Sequence, residues 1–118
     1  MAAYVISDVG PVAREDEAAR KAYLALVPST IEKHGGRYLA RGGVIDIKEG
    51  YWSPQAIVIV EFPDREAAAR WYSSPEYAAA LKLRKGTGLR RKLIVVEGAL
   101  DAGAANLLGP NFVRPDRK

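Results

Sequence analysis

The sequence predicts an α+β subunit: one antiparallel sheet of four strands with its helices on a single face, in the order β-α-β-β-α-β. Three observations predict it. Four short stretches have the alternating or β-branched character of strands. Two longer stretches place apolar residues at helical spacing. The two kinds alternate so that the halves of the chain share one plan, and right-handed crossovers then put both helices on the same side of the sheet.

The first strand is Ala3–Val9, with Tyr4, Ile6 and Asp8 on one face and Val5, Ser7 and Val9 on the other; Gly10-Pro11 ends it. Over residues 15–33 the stripe Ala19, Tyr23, Leu26, Val27, Ile31 is that of a helix packed on one side, and Glu15, Asp16 and Glu17 suit its positive N-terminal end. Pro28 removes a backbone donor, so a kink or break is expected near residues 24–27. His34-Gly35-Gly36 closes the helix. The second strand starts at residues 37–40, is interrupted by a bulge or bend at Gly42-Gly43 and resumes over residues 44–47. The third, Ala56–Phe62, is apolar on both faces. Asp64 is placed to cap a helix through Tyr72, and Ser74-Pro75 to restart one that runs to about Lys85. Gly86-Thr87-Gly88 is a loop, and residues 92–97 form a fourth strand, again apolar on both faces.

Helices cover one face only, so the apolar second face of the third and fourth strands calls for a partner, most economically a second copy on a twofold axis. Val58 is the position chosen to probe that interface: aspartate there should cost either folding or dimerisation.

Length and composition agree with one folded domain. The chain has 118 residues, 48% hydrophobic and 27% charged, enough for a core without staples. With no cysteine, thiol nucleophiles, cysteine-bound metals and redox switching are excluded; with His34 as the single histidine, so is a multi-histidine metal site within one subunit. No apolar run nears the ~20 residues that span a bilayer, and the N-terminus lacks the pattern of a signal peptide, so no membrane is expected and the cytoplasm is the expected location. The domain is expected to occupy residues 1–100, with 101–118 a C-terminal extension whose Leu107, Leu108, Phe112 and Val113 would lie across apolar surface, Phe112 acting as a latch on the partner subunit.

The net charge of +4 is local. Lys82, Arg84, Lys85, Arg90, Arg91 and Lys92 form a basic run without an acid, and in the rest of the chain acids outnumber bases. No aromatic residue interleaves that run, which argues against nucleic acid and for a solvated helix end. Lys85-Gly86-Thr87-Gly88 follows a helix and precedes a strand, the reverse of the phosphate-loop context.

The segments His34-Gly35-Gly36-Arg37-Tyr38-Leu39-Ala40-Arg41-Gly42-Gly43, Val60-Glu61-Phe62-Pro63, Trp71-Tyr72-Ser73-Ser74-Pro75-Glu76-Tyr77 and Val96-Glu97-Gly98 resemble the dimeric α/β barrel family catalogued as domain of unknown function 1330, over about residues 3–100. The resemblance implies a ferredoxin-like subunit paired into a barrel-like dimer. It implies no particular reaction, because relatives in the wider superfamily include cofactor-independent monooxygenases, lactone isomerases and haem enzymes.

His34 is the natural general acid or base, beside a flexible Gly-Gly; its structural alternative is a helix C-terminal histidine held by the dipole. Haem ligation has only this one histidine behind it, so no cofactor is expected. Glu61, near the end of an apolar strand, is the second catalytic candidate and otherwise an ion-pair partner of Arg41, as is Glu97. Arg41, flanked by glycines, suits a carboxylate or enolate, and Tyr72 and Arg84 complete the expected ligand-binding set. Trp71 and Tyr77 read chiefly as core, and Ser74 as a cap, so no serine hydrolase is supported. Function is thus expected to be a homodimer with one pocket per subunit for a small acidic or aromatic ligand, acting as a cofactor-independent enzyme or, alternatively, as a non-catalytic binding, regulatory or assembly module.

Overall fold

A computed structural model describes residues 1–99. In chain order it has β1 (Ala3–Val9), a short 3-10 turn at Arg14–Asp16, α1 (Glu17–Lys33), β2 (Arg37–Arg41), β3 (Ala56–Phe62), α2 (Arg65–Tyr72), α3 (Pro75–Lys82) and β4 (Arg91–Glu97). The sheet order is β2-β3-β1-β4 and every neighbouring pair is antiparallel. This is the expected α+β, ferredoxin-like arrangement. Among the described residues no helix is long and apolar enough to cross a membrane.

Strand register sorts the side chains into two sets. Val5 faces Val60 on one side and Val95 on the other, and Ser7 faces Val58 and Leu93; these share the helix-covered face. Ile6 faces Ile59 and Ile94 on the opposite, bare face. Val58 therefore points under the helices, and Ile59 is the residue of β3 that reports on the bare face.

The core fills the helix-covered layer. Phe62, Trp71 and Tyr77 are essentially buried, and Trp71 stacks obliquely on Tyr77 with ring centroids 4.3 Å apart. The Trp71 indole N–H donates to Thr30 Oγ1 at 3.0 Å, and that hydroxyl donates onward to the Val27 carbonyl at 2.7 Å. Such a satisfied polar chain can be buried without cost to the core. It also bears on Pro28. The helix α1 runs unbroken past the proline, because Tyr23, Val27, Thr30 and Ile31 are buried on both sides of it, and this packing exceeds the ~3 kcal/mol that an interior proline costs.

Two further expectations are corrected. Residues 44–47 do not resume a strand; β2 ends at Arg41 and the connection to β3 is a loop. The irregularity in β2 lies at Leu39, between Tyr38 and Ala40, and not at the glycines. The two predicted caps are present: Asp64 accepts from the Ala67 amide at 2.8 Å, and Ser74 from the Tyr77 amide at 3.1 Å. The expected C-terminal latch at Phe112 lies outside the described residues.

Candidate functional site

The layer between helices and sheet is closed at one end and open at the other. At the closed end, His34-Gly35-Gly36 turns the chain from α1 into β2. Gly36 donates to the Ile31 carbonyl, and a Cβ on it would stand 2.7 Å from Ile31 and 2.8 Å from Phe62. Gly35 takes φ +84°, the left-handed conformation of a helix end. The glycine pair is thus required by the packing itself.

The open end is a cleft of about 340 Å³. α1 lends it Arg20 and Tyr23, β2 lends Tyr38 and Arg41, β3 lends Val58, the segment between α3 and β4 lends Arg84 and Arg90, and β4 lends Arg91. Among the described residues no acid lines it. Arg20 is paired with Glu17 at 3.0 Å, whereas Arg41, Arg84 and Arg91 make no ion pair among the described residues. Their guanidinium groups lie against aromatic rings: Arg41 over Tyr38 at 4.5 Å, Arg84 and Arg91 over Tyr23 at 5.3 and 5.5 Å.

Arg41 reaches the cleft because of the bulge at Leu39. In a regular strand residues 37 and 41 share a face. The bulge inverts the alternation, so Arg37 lies opposite Glu61 on the bare face while Arg41 lies opposite Val58 under the helices. One inserted residue therefore converts a surface arginine into a cleft residue.

A hydrogen-bond chain runs into the same space. Arg91 Nη2 donates to the buried Tyr77 hydroxyl, which lies 2.8 Å from the Tyr23 hydroxyl. Since an arginine only donates, Tyr77 accepts from it, and in the cooperative arrangement the Tyr77 O–H donates to the Tyr23 oxygen, leaving the Tyr23 O–H for a further acceptor. Burial pushes the Tyr23 hydroxyl above its ordinary value, opposed by Arg91 and Arg84, and burial likewise raises Tyr38, opposed by Arg41. Both tyrosines are neutral donors at pH 7.

The expected site residues separate. Arg41 and Arg84 meet in the cleft; His34, Glu61 and Tyr72 do not line it. His34 Nε2 lies 3.3 Å from Glu76 Oε1, and Glu76 also accepts from Lys33 Nζ at 2.8 Å. Glu61 accepts from Arg37 Nε at 2.6 Å and from the Tyr4 hydroxyl at 3.3 Å on the bare face, so the anticipated pairing with Arg41 is replaced by one with Arg37. Tyr72 is half exposed, with its ring against Trp71 and Tyr77. The sequence reading missed Arg20, Tyr23, Tyr38 and Arg91 as cleft residues. Tyr23 was hidden among the apolar stripe of α1 and Arg91 within the basic run, of which Arg84 and Arg91 are partly buried while Lys82, Lys85, Arg90 and Lys92 stay exposed. The adjoining Gly88 amide is already taken by Asp16 Oδ2 at 3.0 Å, which pins that loop to the start of α1.

Sheet, helix layer and cleft define a ferredoxin-like α+β protein with a cationic space sized for a small molecule. The chain belongs to the family described as Domain of unknown function (DUF1330), whose model matches residues 2–99. Among solved structures it is similar to a protein of unknown function from Rhodopseudomonas palustris, 19% identical, covering 85% of this chain and 84% of that one, with TM-score 0.62. It is also similar to a dimeric ferredoxin-like protein of unknown function from Jannaschia sp. CCS1, 12% identical, covering 83% and 100%, TM-score 0.62. A third, from Thermobifida fusca YX and likewise described as dimeric and ferredoxin-like, is 14% identical, covers 82% and 91%, and has TM-score 0.51. At such identities the likeness is one of fold. No curated protein matches the sequence.

Proposed function

We propose that the protein is a cytoplasmic homodimer whose subunits each bind a small anionic metabolite, a carboxylate or phenolate, in the cleft between α1 and the sheet. One observation carries this reading: the guanidinium groups of Arg41, Arg84 and Arg91, without carboxylate partners among the described residues, converge with two neutral tyrosine hydroxyls, and no described acid lines the space. Cations gathered around one space repel one another, and a ligand carboxylate relieves this and satisfies them by charge-assisted hydrogen bonds. Arg41 and Arg84 bind the anion, Arg91 holds Tyr77 and Tyr23 in line, and the tyrosine faces accept an aromatic body.

A second reading, a cofactor-independent enzyme for the same class of ligand, is favoured by the Tyr23 hydroxyl, which the Arg91–Tyr77 chain leaves able to donate a proton or hydrogen bond to a developing oxyanion. His34 and Glu61 have no part in either reading, since neither lines the cleft.

The homodimer rests on the bare face, where Ile6, Ile59, Ile94 and Val96 form one aliphatic field, and on the dimers described for the Jannaschia and Thermobifida proteins. Packing two such faces about a twofold axis would bury ~1,600 Å² in total and close the two sheets into a barrel.

The test of the cleft is a thermal-shift screen of carboxylic and phenolic metabolites. A ligand at a hundredfold excess over its Kd should stabilise the protein by about 2.7 kcal/mol, and Arg41→Ala and Arg84→Ala should each cut that by about half. Equal shifts in wild type and both variants, or stabilisation by neutral compounds only, would overturn the assignment.

A further inference from the structure

We propose that the β2–β3 loop, residues 42–55, is an arm that grips the second subunit, fastened to its own sheet through Trp52; this rests on the homodimer reading and names how the two copies hold each other. The loop carries four large apolar or aromatic side chains in the open: Val44 is 99% exposed, Tyr51 104%, Trp52 60% and Ile47 53%. Free loops of this length are uncommon unless they have a task, and four large apolar side chains exposed on one loop mark a candidate interaction surface. The alternation of Val44, Ile45 and Ile47, unused by the sheet of its own subunit, belongs to the same group.

The arm is anchored. Trp52 Nε1 donates to Asp8 Oδ2 at 2.8 Å, and Asp8 stands on the bare face between Ile57 of β3 and Lys92 of β4. That bond sets the indole at the margin of the aliphatic field of Ile6, Ile59, Ile94 and Val96, so arm and face make one continuous surface. Ile94 is 56% exposed and Val96 43%. Arm and face together offer apolar and aromatic area on the order of 800 Å², which is what each partner of a stable dimer contributes. The occupant is a second copy because arm and face continue the bare sheet face on which the homodimer rests, and at the rim Glu61 is already paired with Arg37 and Asp8 is bonded to Trp52 beside Lys92, so two like faces can meet across a twofold axis without opposing unbalanced charge. A lipid surface would call for a basic arm, whereas residues 42–55 hold two acids and one lysine.

The experiment follows the molar mass and tryptophan emission of the full chain through serial dilution. Trp71 is buried within the subunit, so a change in emission on dimerisation reports Trp52. The expected result is a dimer whose emission moves to the red as it dissociates, and a Tyr51→Ser/Val44→Ser variant with unchanged circular dichroism whose dimer is weakened about tenfold or more. A wild-type monomer at every concentration overturns the dimer and the arm together. A wild-type dimer with unmoved Trp52 emission and an unchanged dissociation constant in the variant overturns the arm alone. A blue shift with anionic vesicles but not with protein concentration also overturns it, in favour of a membrane.

Discussion

The two ends of the layer beneath the helices are built on opposite principles. At the His34 end every space is filled: Gly36 has no room for a methyl group, Trp71 is stacked and hydrogen-bonded, and the glutamate facing His34 is already shared with Lys33. At the Arg41 end positive charge is gathered around a cleft with no counter-ion among the described residues. The lone histidine beside two glycines thus sits where the chain is most tightly packed, whereas the proposed binding cleft is assembled from residues scattered over four elements.

The sharpest way to break that contrast is to empty the closed end. Trp71→Ala removes the largest buried side chain and leaves Thr30 without its donor, and should cost about 3–5 kcal/mol, read as a lowered midpoint in urea unfolding. Next in size, Gly36→Ala should destabilise by about 1–3 kcal/mol through overlap with Ile31 and Phe62, while Gly43→Ala, with open space around it, should leave the midpoint unchanged. A tolerant Gly36 would erase the distinction between the two ends.

At the open end the effects should reverse. Arg41→Ala should leave the unfolding midpoint within about 0.5 kcal/mol of wild type yet weaken anion binding about tenfold, measured by calorimetry with whichever carboxylate the screen selects. Tyr77→Phe removes the hydrogen bond to Tyr23 together with the acceptor of Arg91, and should weaken the same ligand by a smaller factor.

The smallest effect is electrostatic. Lys33 first and His34 second hold the Glu76 carboxyl down at about 2, against an ordinary 4.5. A carboxyl whose folded value lies below its unfolded one stabilises fully above about pH 4.5, and the contribution fades as the pH falls toward 2. Glu76→Gln should therefore unfold slightly more easily than wild type at neutral pH, and the two should converge in acid. A gap that persists at pH 2 would mean that Glu76 acts by packing.

What the sequence by itself determined is what depends on near neighbours. The bounds of β1 and β3 follow from β-branched runs ended by Gly10-Pro11 and Pro63; the division of the second helical stretch follows from Asp64 and Ser74-Pro75, whose side chains need only reach an amide three residues on. The bare apolar face was legible for the same reason, since period-two alternation exposes it directly. Tertiary structure alone decided which side of the sheet each charge occupies. A bulge at Leu39 arises from how β2 meets β3, and it sends Arg37 to Glu61 and Arg41 to the cleft. The basic run is divided in the same way, because β4 pairs with β1 in the register that puts Arg91 under the helices opposite Val9. Pro28 is overruled by residues from other elements that pack against α1. Face and pairing change with a shift of one residue and are set by distant partners, so local pattern carries the elements and only the assembled sheet carries the site.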